Sequence, residues 1–319
     1  MRKHSKNQAI DAMLLPTMIS LKPITFITGK GGVGKSMIAA SLALAESQKD
    51  KKVLLVELGE KSFFEKFFHL RSDGPKGAIG YEPKEVFPNL SICTWSYREC
   101  LREYVSFFIK SKKIYDVFFD NSVMQKFIQA APALKELAIL GKATSGPRQV
   151  GPPMGFDYIV IDSYSSGHHK ALLNAPAAMA QTIRHGPMAY HSEKILEVIR
   201  NASLSTHFVV LKPEELPTVE GLELCQFLKK EQSIDAQIVL NQYMNFPLEE
   251  KKLNELSISA SAENMRSLCK EFFQFSKEQN ECFSQIKQAQ SNFFVTPFVF
   301  DKQNSQTFLT KIFAETKST

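Results

Sequence analysis

Tryptophan is nearly missing from this 319-residue chain, which has a single copy, and cysteine is sparse, with five. Cys93, Cys100, Cys225, Cys269 and Cys282 include no CxxC pair and have no His partners at metal-ligand spacing. That argues against a zinc site or a disulfide framework and for scattered thiols in a reducing compartment. No run of 18 apolar residues occurs, so no transmembrane helix is expected. Arg2, Lys3 and Lys6 precede an apolar stretch from Ala12 to Ile19, but Asp11 and Pro16 interrupt it. Without a cleavage pattern this is no signal peptide, and the cytoplasm is the expected location. Charge of one sign is scarce too, because 39 basic against 33 acidic residues leave only +6. Nucleic-acid binding would need a local basic patch that the sequence does not offer. Internal repeats and low-complexity tracts are lacking as well.

What is present describes an ordinary globular chain, 44% hydrophobic and 23% charged. Its length fits two domains or one α/β domain with insertions. Phenylalanine is the exception, with 25 copies against 8 Tyr, concentrated between Phe63 and Phe127 and again between Phe272 and Phe313.

Residues 24–28 (ITFIT) form a β-branched apolar run that ends in a glycine cluster and is followed by the alanine-rich segment Met37 to Ala45. This predicts strand, loop and helix. Val53 to Val56, Phe156 to Ile161, His207 to Leu211 and Gln237 to Leu240 repeat the doubly buried strand signature, which predicts a mostly parallel sheet flanked by helices. Between the second and third strands, Leu101, Tyr104, Val105 and Phe108 recur at helical spacing, as do Val123, Phe127, Leu134 and Ala138 around Pro132. Thr144 to Pro153, rich in Gly and Pro, reads as the linker back to the sheet. A second helical stretch runs from about Glu249 to Ala289, and Phe293 to Phe300 reads as a last strand before a closing helix. The expected division is an extension over residues 1–22 and one domain over 23–319, with helical inserts at about 97–142 and 249–289.

Gly29-Lys30-Gly31-Gly32-Val33-Gly34-Lys35-Ser36 satisfies G-x-x-x-x-G-K-[ST] between a predicted strand and a predicted helix that opens at Met37. In such a P-loop the glycines turn backbone N–H groups onto phosphate oxygens, and the helix N-terminus adds its partial positive charge. Lys35 is expected to reach the β and γ phosphates of ATP, and the Ser36 hydroxyl to ligate Mg²⁺. Ile159-Val160-Ile161-Asp162 ends a strand in an acid, the arrangement that holds Mg²⁺ through water.

The second lysine, Lys30, makes KGGVGKS resemble the deviant P-loop of the MinD and ParA ATPases, the nitrogenase iron protein and the ArsA-type ATPases. That resemblance implies a P-loop NTPase fold with an inserted α-helical subdomain. It also implies a nucleotide-sandwich dimer in which Lys30 crosses to the partner's nucleotide. Asp162-Ser163-Tyr164-Ser165-Ser166-Gly167-His168 looks like the ArsA-type switch II, D-T-A-P-T-G-H, matching at Asp162, Gly167 and His168. By resemblance, Gly167 offers its N–H to the γ-phosphate. His168 and His169, as neighbours pointing apart, read as solvated loop residues rather than a metal pair. Leu211 to Glu220 (LKPEELPTVE) is similar to a family strand and helix carrying Pro-Glu. By the same resemblance Asn241 reads the adenine edge, and Thr296-Pro297-Phe298 lines the adenine pocket, with Pro297 and Phe298 as binding residues. The likeness extends from about Pro23 to the C-terminus.

Switch I departs from the family. Where S-T-D-P-A is expected, this chain has Glu57-Leu58-Gly59-Glu60-Lys61, with Gly59 in the aspartate's place. Some bacterial ArsA-like proteins, often encoded as pairs, carry a comparable E-x-x-G here. Glu57 or Glu60 is the candidate substitute for positioning the attacking water. The inserts from Tyr97 to Leu140 and around Leu268 to Phe283 occupy the places where the targeting branch of the family builds a groove for hydrophobic helices.

Three functions follow. The leading one is an ATP-hydrolysing switch, homodimeric or paired with a related P-loop ATPase, that binds a partner or hydrophobic helical client. A hydrolysis-deficient nucleotide-binding scaffold within a heterodimer is the alternative. An oxyanion-pump energiser ranks lower because no Cys cluster occurs at usable spacing. A membrane-bound ATPase would need the short amphipathic tail Phe308, Leu309, Lys311, Ile312 and Phe313.

Overall fold

The computed structural model describes residues 19, 21–68, 70, 78–108, 132–150, 154–183, 185–244, 250–259, 263–290, 292–299 and 317–318. Five strands make its centre: β1 (Ile24–Gly29), β2 (Val53–Leu58), β5 (Tyr158–Ser165), β6 (Ser205–Leu211) and β7 (Gln237–Tyr243). All five run parallel, and β1 is buried along its whole length. Continuous Val, Ile and Leu runs are what burial on both faces requires. With β3 (Lys84–Phe87), β4 (Leu90–Trp95), β8 (Phe294–Pro297) and β9 (Lys317–Ser318), the described sheet has nine strands in the order β3-β4-β2-β5-β1-β6-β7-β8-β9. Only the edge pairs, β3 with β4 and β8 with β9, are antiparallel.

Alternate residues of each strand feed opposite cores. Phe26, Leu54, Val56, Ile161 and Val209 face one, whereas Ile27, Val53, Leu55, Val160 and Phe208 face the other. Helix α1 (Lys35–Ser47) covers the second face, together with the aromatic cluster around α2 (Phe63–Phe67). The first face is covered by α3 (Tyr97–Phe108), α4 (Pro132–Ala143), α6 (Ser166–Thr182), α7 (Pro187–Arg200) and α8 (Glu215–Gln232). Each fully buried Ile, Leu or Phe in these layers contributes about 1.5–3 kcal/mol. A helical hairpin, α9 (Glu250–Ser259) and α10 (Glu263–Ala289), lies beyond them and reaches the first core through Ile286.

Several boundaries differ from expectation. The segment expected to be a linker opens with a short helix, α5 (Ser145–Arg148), which a left-handed Gln149 (φ 53°) caps. Strands β3 and β4 were not predicted, and Asn89 (φ 62°) turns the chain between them. The described part of the first insert is core: Leu101, Val105, Leu137 and Leu140 pack on the sheet. Val123, Phe127 and the closing tail lie outside the described residues. His169 corrects the reading of both histidines as solvated, since it is fully buried and only His168 is exposed.

Candidate functional site

The carboxyl ends of parallel strands leave a crevice where helices begin, and ligands bind there. The loop from Lys30 to Gly34 occupies that place between β1 and α1. Gly34 is the N-cap of α1 in left-handed conformation (φ 94°, ψ 23°), with no side-chain cap and no acidic residue in the first turn. The helix thus presents uncapped N–H groups and its positive end, which suits an anion. Gly32 is also left-handed (φ 82°), and Gly31 and Gly32 have open space where a Cβ would stand. Gly29 is locked differently: at φ 145°, a Cβ there would lie 2.3 Å from the Val210 carbonyl oxygen of β6. Val33 is buried, and Met37 packs against the α1 side of the core.

Both P-loop lysines are engaged. Lys35 Nζ donates to the Lys30 carbonyl at 3.0 Å, and burial lowers its pKa against the opposing pull of Asp162. Lys30 Nζ pairs with Glu220 Oε1 at 2.8 Å. Ser36 Oγ donates to Asp162 Oδ2 at 2.5 Å, so the two residues expected to hold a metal are adjacent. Asp162 Oδ1 is buried without a partner among the described residues. Burial pushes the Asp162 carboxyl up to about 6, against the Ser36 bond and the Lys35 charge. An orphaned carboxylate oxygen in that position is costly unless a cation takes it. The donor set, one carboxylate and one hydroxyl beside a phosphate-type cradle, fits Mg²⁺, which takes one or two protein ligands and completes its shell with phosphates and water.

Switch II is not a loop here. Strand β5 continues through Ser165, and α6 starts at Ser166. Gly167 therefore lies in the first turn of a second helix without a side-chain cap, with open space at its Cβ position. His169 Nδ1 and Ser163 Oγ are 2.8 Å apart beneath this turn.

The two acidic candidates of switch I separate clearly. Glu60 is exposed. Glu57 is buried and is the register partner of Asp162 across β2 and β5. Its Oε1 accepts from the Phe63 N–H at 2.7 Å and its Oε2 from the Ser62 hydroxyl. Burial dominates those bonds and raises its pKa to about 7. Phe63, Phe64, Phe67, Phe68 and Phe87 form an edge-to-face and stacked cluster that fixes α2 behind it. Gly59 is at φ 154°, and its N–H donates to the Trp95 carbonyl at 3.1 Å.

Asn241 is placed under the P-loop. Its Nδ2 donates to the Val33 carbonyl at 2.8 Å, and its Oδ1 accepts from Thr296 Oγ1 at 2.6 Å. One amide hydrogen and one lone pair remain for any ligand. Pro297 and the 37%-exposed Phe298 follow at the same sheet edge, where Phe298 N–H donates to the Tyr243 carbonyl. The bracing role of Thr296 was not foreseen, because a hydroxyl contact between residues 55 positions apart leaves no local pattern. Thr296→Val is expected to leave Asn241 Oδ1 short of its donor and to cost about 1–3 kcal/mol of stability. The check is the urea midpoint, which should fall with an unchanged slope; an unmoved midpoint removes the brace.

Comparisons with known proteins give the family. The family model described as anion-transporting ATPase matches residues 22–188, just over half of the chain. The ATPase BagA of Mycobacterium tuberculosis is 25% identical over 248 residues, covering 75% of this chain and 70% of its own. A protein named ATPase ASNA1 homolog from Entamoeba histolytica is 24% identical over 261 residues, covering 69% and 76%. A putative arsenical pump-driving ATPase of Halobacterium salinarum is 24% identical over 236 residues, covering 69% of this chain and 35% of that one. Among the described residues no helix is long and apolar enough to cross a membrane. A glycine-rich loop between β1 and α1, an acid within β5 and the family match across both place this chain in the ArsA-type anion-transporting ATPase family of P-loop proteins.

Proposed function

We propose that this chain is an ATP-binding, ATP-hydrolysing switch that works as a dimer and whose nucleotide state controls binding of a partner or hydrophobic client protein. The observation carrying the nucleotide reading is the adjacency of Lys35, Ser36 and the orphaned Asp162 oxygen at an uncapped helix N-terminus. Lys35 leaves the Lys30 carbonyl for the β and γ phosphates. Gly29 to Met37 supply the cradle, and Gly167 meets the γ-phosphate from α6. Asn241, Pro297 and Phe298 border the base. Ser36 and Asp162 hold Mg²⁺, which neutralises charge on the phosphates when bound. Lys30 reaches the partner's nucleotide and offsets charge developing on the transferred phosphoryl.

Between the two acids, Glu57 is the better group to position the attacking water. It is buried beside Asp162 and has a pKa near neutrality, whereas Glu60 stands in solvent. On the client side, α9 and α10 expose Ile258, Met265, Leu268, Phe272 and Phe275, apolar side chains of the kind a helical partner covers. The scaffold alternative draws support from Gly59, which leaves the family's aspartate unfilled. Mass measurement with and without ATP and Mg²⁺, run alongside phosphate release, separates these. ATP-driven dimerisation with release supports the switch. Binding without release supports the scaffold, and failure to bind ATP overturns both.

A further inference from the structure

We propose that Glu220 is a latch on Lys30, holding the P-loop lysine within its own chain until a nucleotide-loaded second copy of this chain draws it across. This rests on the crossing role of Lys30 proposed above and adds what opposes it. Lys30 lies in the P-loop, and Glu220 lies on α8, 190 residues later. Their charged atoms meet at 2.8 Å, with side chains 29% and 34% exposed. Among the described residues this is the contact that Lys30 Nζ makes.

One ammonium cannot serve its own chain's carboxylate and a partner's phosphates together. The Glu220 carboxylate is therefore a direct competitor for the partner's nucleotide, and pairing has to break the contact in both protomers. The neighbouring lysine supplies a release. Lys35 Nζ sits on the carbonyl of Lys30 itself, so the two lysines are chained through one residue. Phosphates that draw Lys35 into the cradle remove the bond anchoring the Lys30 backbone and loosen the latch in the chain that binds them. Leu216 and Val219 border Glu220 on the exposed face of α8, 58% and 42% open. A second copy closing over this face would bury a carboxylate that has lost its cation, which adds to the cost of pairing.

A partly exposed ion pair is worth a factor of about three. Two latches open per dimer, so removing them should tighten ATP-dependent pairing about tenfold. The test is mass measurement by sedimentation in the analytical ultracentrifuge on the full chain with ATP and Mg²⁺, for wild type, Glu220→Gln, Lys30→Ala and the double variant. Thermal melts of each establish folding. Glu220→Gln is expected to pair at about a tenth of the wild-type concentration, and the double variant to match Lys30→Ala. Pairing by Glu220→Gln where wild type stays monomeric also supports the latch. Wild type that pairs as well as or better than Glu220→Gln overturns the latch and leaves the crossing role intact. Failure of both to pair, or unchanged pairing by Lys30→Ala, overturns the crossing role and the latch with it.

Discussion

Glu57→Gln is expected to slow ATP turnover by about 10²-fold or more while ATP affinity stays within about threefold. Glutamine preserves shape and still accepts from the Phe63 N–H, but it cannot carry the negative charge that orients or deprotonates water. Glu60→Gln, altering an exposed side chain, should leave turnover within about threefold, since a water-positioning group acts only within hydrogen-bond reach. Phosphate-release rates at saturating ATP decide it. A fall confined to Glu60→Gln would transfer the role, and no fall in either would favour the scaffold reading. The same substitution has a stability signature without nucleotide or Mg²⁺. The folded Glu57 carboxyl titrates at about 7 instead of 4.5 because burial disfavours its charge. Between those values the folded chain keeps a proton that the unfolded chain gives up. Wild-type stability from this group is therefore complete below about pH 4.5 and is lost as pH rises towards 7. Glu57→Gln does not titrate, so its stability relative to wild type should rise across that window, by on the order of 3 kcal/mol at most. His169 and His207, whose burial holds them down to about 3 and about 4, act in the opposite direction. They are common to both proteins and cancel in the difference.

Gly34→Ala carries the other large effect, a loss of ATP affinity of about 10²-fold, because the free loop can relax away from the strain whereas phosphate binding must restore it. Two costs combine. Alanine at φ 94° pays about 1–2 kcal/mol for the left-handed backbone. Its Cβ would also stand 2.2 Å from Asn241 Nδ2, so the amide must leave the Val33 carbonyl, at about 1–3 kcal/mol. Gly32→Ala is the comparison, because it carries the φ penalty with no protein atom near the added Cβ. Calorimetric ATP titration of both variants tests the argument; equal losses would mean that strain alone matters and that Asn241 does not support the loop.

The central strands and the P-loop were legible because their signals are local. An apolar β-branched run, a glycine-spaced loop and an alanine-rich helix follow one another within residues 24–47, and each constrains the backbone by its own chemistry. Asp162 was legible as a candidate acid but was expected to end its strand, whereas β5 continues through Ser165. Strand β4 was not: in Leu90-Ser91-Ile92-Cys93-Thr94-Trp95, polar residues interrupt the apolar run, and pairing with β2 and β3 makes it a strand. His169 escaped for the same reason, because its neighbour His168 is exposed and burial depends on which way the first turn of α6 faces the sheet.

The phenylalanine excess divides along this line. Phe64 is core within α2, and Phe293 is core beside β8, whereas Phe272 and Phe275 remain exposed on α10. Composition could count these side chains without sorting them, because burial depends on neighbours that are distant in the chain.

By itself the sequence determined the fold class and the glycine-rich loop with the lysines and acid that surround it, since these depend on spacing over a few residues. Only the tertiary structure buried Glu57 and left Glu60 exposed, set Asn241 and Thr296 beneath the loop, and joined Lys30 to Glu220. Each of those outcomes depends on distance between segments up to 190 residues apart, and burial and pairing energies follow distance in space rather than order along the chain.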